Sequence, residues 1–225
     1  QMKALKNFNE FDATETPDGV FLTHAHIGHY TGLMYLGKEA MNANGVPVYV
    51  MPRMKYFLEN NGPWSQLVAN RNILLQEIKD HQDILLTDRI KVKAIKVPHR
   101  DEYSETVGFV ISGPKKSALF IPDIDKWEKW ELNIIDQIKE VDFAFLDATF
   151  FDGEEINNRD ISEIPHPFII ESMKKFEALN KEEKNKIIFI HFNHTNPVLD
   201  PKSKASETVR KNGFGIARIG DVFEL

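Results

Sequence analysis

Short apolar runs alternate with amphipathic stretches along the 225 residues. GVFLT (19–23) reads as a buried strand, and TGLMYLGKEAMNA (31–43) as a helix with Leu33, Leu36, Ala40 and Met41 on one face. VPVYVM (46–51) predicts a second strand and MKYFLENN (54–61) a second helix, stopped at Gly62-Pro63. NILLQEI (72–78) and RIKVKAIKV (89–97) predict strands, the latter alternating apolar and charged residues so that one face is wet. ETVGFVIS (105–112) and SALFIP (117–122), separated by Gly113-Pro114, predict a hairpin.

DKWEKWELNIIDQIKE (125–140) and PFIIESMKKFEAL (167–179) have helical spacing, and DFAFLDAT (142–149) and KIIFIHF (186–192) read as strands. A short helix over 201–211 and a strand at DVFEL (221–225) complete the pattern. KEEKNK is expected to be a solvated turn. Hairpins in the middle and strand–helix alternation at both ends imply a mixed α/β (α+β) domain spanning 1–225. A purely parallel doubly wound sheet does not fit this pattern.

Composition narrows the class. Hydrophobic residues make up 42% of the chain, enough for a sizeable core. Acidic residues outnumber basic ones 34 to 28, and without a basic stripe the chain is not expected to bind nucleic acid. No run reaches the roughly 18 apolar residues of a membrane span. With no cysteine, thiolate metal sites and disulfides are excluded, so any metal must be held by His, Asp, Glu, Asn or backbone oxygen.

Only eight histidines occur, yet FLTHAHIGHYTGL places three of them within six positions. At this composition a chance H-x-H-x-x-H has odds on the order of one in a hundred. Other polar residues also stand where apolar strands end: His99 after 89–97, Asp123 after 117–121, Asp147 after 142–146, and His191 with His194 after 186–190. A lone histidine there is more often an ordinary hydrogen-bonded residue, and Asp123 or Asp125 could instead cap a helix over 126–140. As a set, strand ends along one sheet edge can converge, and imidazoles with carboxylates are a ligand set for zinc, iron or similar ions.

THAHIGH after a strand, then a lone His, an Asp and a strand-end His resembles the metallo-β-lactamase fold. THAHIGHYTGL, PHRDEYSETVGF, ALFIPDIDKW, FLDATFF and FIHFNHTNPVLD are similar to its pyrroloquinoline quinone biosynthesis protein B branch. The resemblance implies an αββα sandwich with metal at one edge. It implies His24, His26 and His99 as ligands of a first metal position, Asp123 as a bridging carboxylate, and His29 and His191 as ligands of a second.

Two departures stand out. The family motif H-x-H-x-D-H has Gly28 in place of its Asp, so either one metal binds or another residue substitutes. His194 is the natural substitute, or else a substrate contact. The fold also opens with several strands before this motif, whereas about 20 residues precede it here, so the first sheet is expected to lack its first strands. Gln1 suggests that a leader or longer N-terminal segment has been lost.

His166, in SEIPHPF, is a candidate substrate or proton-transfer residue, and Asp147 a candidate for orienting a ligand histidine. His81 reads as surface, while Tyr103, Trp64, Trp127 and Trp130 read as buried packing rather than pocket lining.

The expected cofactors are one or two divalent metal ions, zinc first, with iron and manganese as alternatives; no organic cofactor site is read. The expected activity is metal-assisted hydrolysis of an ester, amide or phosphodiester-type bond in a small molecule. Asp123 would act on the attacking water, and His166 or His194 would protonate the leaving group. An iron- and oxygen-dependent oxidoreductase of quinone-cofactor biosynthesis, and a non-catalytic metal-stabilised binding protein, are the alternatives. No membrane partner is expected, a homodimer is open to the chain, and its location is the cytoplasm if no leader was removed.

Overall fold

A computed structural model describes residues 16–155 and 164–225. The chain divides into two compact units. One holds the described residues up to Asp80 together with Asp101–Thr106, the other His81–Arg100 with Val107–Leu225. The expected shortfall of strands ahead of the histidine motif concerns residues that lie largely outside the described ones.

The first unit carries a parallel sheet of β1 (Val20–Phe21), β2 (Val46–Val50) and β3 (Ile73–Glu77), with Val20 opposite Val48 and Val46 opposite Ile73. In β2 the period-2 pattern does what it predicts: Val46, Val48 and Val50 are buried, and Pro47 and Tyr49 are less so. Tyr49 stacks on Phe21 with ring centroids 4.3 Å apart. Helix α1 (Ile27–Tyr30) follows the histidine motif, and α2 (Pro52–Asn60) begins with proline at its first turn, where the missing N–H costs nothing. Met54 and Leu58, one turn apart on α2, are buried with Leu36, Val48 and Ile73.

The helix expected over 31–43 is instead a 3-10 helix, Thr31–Leu36, followed by turns. Leu33 and Leu36 are the buried pair, a three-residue spacing that suits the tighter helix. Gly37 in extended conformation then ends it. A short helix α3 (Trp64–Ala69), too brief to show a period, was not expected.

The second unit carries a seven-stranded mixed sheet. Its strands are β4 (Asp83–Leu85), β5 (Lys91–Lys96), β6 (Val107–Ser112), β7 (Ser117–Ile121), β8 (Phe143–Asp147), β9 (Ile187–Ile190) and β10 (Gly215–Ile216). They stand in reverse sequence order, β10 to β4. β4 to β7 pair antiparallel and β7 to β10 parallel, with the predicted β6–β7 hairpin closing at Ser112 and Ser117. The parallel strands are apolar except at Ser117, which opens β7, and Asp147, which closes β8, and Leu119, Ile121, Ala144, Leu146, Ile187 and Phe189 are buried in the larger core.

Three expectations in this unit are corrected. The helix over 125–140 is a 3-10 turn, Trp127–Lys129, and a separate α4 (Ile134–Lys139) capped by Asn133, whose side chain accepts from Ile135 N at 2.9 Å. The break lets both indoles turn inward: Trp127 Nε1 donates to Ser172 Oγ at 2.9 Å and Trp130 Nε1 to Lys96 O at 2.8 Å. DVFEL is not a strand. Gly215–Ile216 already occupies the edge beside β9, and Phe223 packs its ring on Phe143 and Phe145 instead. KEEKNK forms a short helix, α6 (Lys181–Asn185), because Asn180 caps it by accepting from Glu183 N. Helices α5 (Ile169–Lys175) and α7 (Lys204–Lys211) lie within the expected stretches.

Gly108 in β6 lies where an added Cβ would sit 2.8 Å from both Ile121 Cγ1 and Phe120 O. Gly108→Ala is therefore expected to destabilise the protein by about 1–3 kcal/mol in urea unfolding, because a backbone oxygen cannot yield as a flexible side chain can.

Candidate metal centre

In the first unit the chain leaves β1 and buries Thr23, His24 and Ala25. His26, extended at φ −83° and ψ 140°, stands at the N-terminus of α1, and that helical turn brings His29 back so that its N–H donates to His26 O at 2.8 Å. His24 Nε2 lies 2.9 Å from His26 Nδ1, and the His24 and His29 rings are 4.2 Å apart between centroids. Strand end plus helical turn thus gathers all three imidazoles. Ser104 Oγ accepts from Ala25 N at 2.8 Å, and Glu102 Oε2 lies 3.1 Å from His26 Nε2, so residues far along the sequence hold the motif.

In the second unit β5, β7, β8 and β9 all run in one direction, as two antiparallel steps followed by parallel ones require. Their C-terminal ends therefore share one edge, and there stand His99, Asp123, Asp147 and His191. His99 is clasped on both ring nitrogens: Nδ1 lies 3.1 Å from Asp125 Oδ1 and Nε2 lies 3.2 Å from Asp123 Oδ1. The His99 and Asp123 side chains are only 1% and 4% exposed, a burial that calls for a compensating charge.

Asp147 is fully buried. Its carboxylate accepts from Ile124 N at 3.2 Å and from Thr149 N and Oγ1 at 2.9 and 2.7 Å. His166 Nδ1 lies 2.8 Å from Asp147 and 3.1 Å from Asp123, and His191 Nδ1 lies 3.5 Å from Asp147 and 2.9 Å from Thr149 Oγ1. One ligand atom each from Asp123, Asp147 and His166 lie within 4.8 Å of one another. His191 has φ 62°, a left-handed backbone unusual for a residue other than glycine, held here at a strand end.

The electrostatics follow from this packing. Burial alone would favour neutral His166, but the Asp147 and Asp123 carboxylates outweigh it and push its pKa up to about 10. His191 is also raised: burial opposes the proton, and Asp147 more than offsets that. Burial would raise the Asp147 carboxyl, yet His166 and His191 hold it below its ordinary value. An imidazole and carboxylate set of this kind, with Asp125 bracing the far nitrogen of His99, fits zinc, iron or manganese.

The sequence-predicted residues fall in two groups. His24, His26 and His29 gather in the first unit, and His99, Asp123, His166 and His191 in the second, with Asp147 in contact with His166 and His191. His194 is exposed and lines, with His166, a cavity of about 520 Å³ in the second unit. Asp125 is no helix cap; it bonds His99. Tyr103 is not buried packing but 62% exposed, while Trp127 and Trp130 are buried as expected. His81 is exposed, as read. Thr149, Glu102 and Ser104 were missed; nothing in a lone Thr, Glu or Ser announces such a contact, although Thr149 follows the candidate Asp147 by two positions.

The chain belongs to the beta-lactamase superfamily, whose domain model matches residues 1–192. Its fold is the metallo-β-lactamase type, and within that group it resembles the PqqB proteins. It is 26% identical over 126 residues to coenzyme PQQ synthesis protein B of Gluconobacter oxydans, covering 54% of this chain and 40% of that protein. The chain thus spans less than half the length of this curated relative. Zn²⁺-bound PqqB from Methylobacterium extorquens superposes with a TM-score of 0.76 at 19% identity, covering 92% of this chain and 73% of that one. A diphosphatase of the PhnP family superposes with a TM-score of 0.62 at 20% identity, covering 99% and 76%.

His166 carries a pH prediction for the metal-free protein. Its pKa of about 10 exceeds the ordinary 6.5, so its contribution to stability is complete below pH 6.5 and is lost as pH rises through 10. Urea unfolding should show that decline, and Asp147→Asn should flatten it. A His166 imidazole titrating near 6.5 by NMR in the wild-type protein would contradict it.

Proposed function

We propose that this chain is a divalent-metal-dependent hydrolase acting on a small molecule. The observation that supports it most is the buried His99–Asp123 pair with Asp125 braced behind it. The order and spacing of the family motifs along the chain support assigning His24, His26 and His99 to one metal position, Asp123 to a shared ligand, and His29 and His191 to a second position. Zinc is the first choice, which the Zn²⁺-bound PqqB neighbour supports.

A divalent metal so held would supply Lewis acidity, polarising a carbonyl or phosphoryl oxygen and pulling the pKa of a water down to about 7. The remaining work belongs to side chains. Asp125 fixes the His99 ring through Nδ1, and Thr149 and Asp147 fix His191. Asp123 takes a hydrogen bond or proton from the attacking water. His166, whose Nδ1 faces Asp147 and Asp123, delivers a proton to the leaving group from Nε2. His194, on the wall of the cavity that His166 also lines, contacts substrate.

The donor set equally suits iron, and the curated relative's name connects that protein with coenzyme PQQ synthesis. An iron- and oxygen-dependent oxidation in quinone-cofactor synthesis is the second reading. Activity with Fe(II) and oxygen, absent with zinc, would favour it.

Metal content by elemental analysis is the first test. Bound zinc or manganese that is lost in the His24→Ala/His26→Ala double variant supports the hydrolase; a wild-type protein that takes up no metal on reconstitution overturns it. Asp125→Ala, which leaves every proposed ligand in place, should weaken metal binding about 10- to 100-fold. Gly28 has open space where a Cβ would go, with nothing within 4 Å. Gly28→Asp should therefore fold normally and raise the metal bound per chain, as measured by the same analysis.

A further inference from the structure

A cavity of about 450 Å³ opens beside α2 in the first unit, lined by Arg53, Tyr56, Phe57, Asn61, Glu102 and Tyr103 among others. Three of its polar groups are engaged with the protein itself. Arg53 Nη2 donates to Asp101 O at 2.7 Å, Asn61 Nδ2 donates to Phe57 O at 2.8 Å, and Glu102 faces His26 at 3.1 Å. The aromatic rings are the surface presented: Tyr56 and Tyr103 are 68% and 62% exposed.

These rings are not scattered. Trp64, Tyr30, Phe57 and Tyr103 form a row with successive centroid separations of 4.9, 5.4 and 5.6 Å, passing from the small core to the surface. Each ring braces the next, so the outer ones are pre-positioned to receive another ring in offset or edge-to-face contact. The row and the cavity each meet the histidine motif once. Tyr30 directly follows His29 on α1, and Glu102 both lines the cavity and touches His26.

We propose that this cavity receives an aromatic ring of the substrate, so that the compound acted on carries an arene. The proposal rests on the hydrolase reading for the word substrate, but the ring site itself does not. With Arg53, Asn61 and Glu102 turned to other protein groups, the exposed edges and faces of Tyr56 and Tyr103 are what suit an arene. Contact with His26 through Glu102 sets the occupant beside the motif rather than at an unrelated surface.

The test uses phenol and cyclohexanol, two probes of similar size, on the metal-free protein followed by NMR. Phenol is expected to shift the ring signals of Tyr56, Phe57 and Tyr103 and the imidazole signals of His26, and cyclohexanol to leave them in place. Tyr56→Ala and Tyr103→Ala should each weaken phenol binding about two- to tenfold, with Tyr103→Phe retaining it. Equal response to both probes, no response to either, or unchanged binding in both alanine variants would overturn the proposal. Ring shifts without any His26 shift would also overturn it, leaving an aromatic site apart from the motif. No metal or turnover enters these readouts, so a failure of the hydrolase reading, seen in metal content, stays distinguishable.

Discussion

A carboxylate without access to water must be surrounded by donors, and Asp147 meets that demand at the last position of β8. The solution organises the edge of the second unit. Ile124 N and Thr149 N bond it from the two flanking loops, and His166 and His191 approach it with imidazole nitrogens. Because Thr149 Oγ1 also reaches both rings, the same few atoms that satisfy a buried charge set the positions of two imidazoles. Removing the carboxylate would leave not one hydrogen bond missing but a whole loop constellation without its centre.

The other buried pair, His99 with Asp123, obeys the same rule from the opposite side. Asp125 stands at one ring nitrogen of His99 and Asp123 at the other. Carboxylates buried on both sides of one imidazole suit a nearby cation. The mixed direction of the sheet makes this economical. Four co-directional strands deliver a polar residue to one edge, while apolar side chains such as Leu119, Ile121, Leu146 and Phe189 stay in the core.

The reading of an enzyme with an arene-bearing substrate joins two features of the first unit. One is the histidine cluster, held by Glu102 and Ser104 from the 101–106 loop. The other is the row of rings that ends on Tyr103 of that same loop. Exposed tyrosines cost apolar hydration, and this loop carries one while also steadying the histidines. Gly28 leaves open room beside the motif where the common family sequence has a carboxylate.

The sequence by itself determined the strands of both sheets where apolar runs were long, the β6–β7 hairpin, the mixed architecture and the polar residues at strand ends. Those features depend on local periodicity and turn chemistry, which a short window carries. Only the tertiary structure decided that 31–43 tightens into a 3-10 helix, that 125–140 breaks to bury Trp127 and Trp130, and that Gly215–Ile216 rather than DVFEL borders β9. In each case a buried side chain or an occupied sheet edge outweighed a modest local preference. The partners of the site residues were likewise invisible: Asp125 on His99, Thr149 on His191 and Glu102 on His26 are contacts of 26, 42 and 76 residues' separation, or loops with no period at all. A pattern along the chain can show which residue types reach the end of a strand. Which of them touch depends on strand order and direction, and these arise only when the sheet assembles.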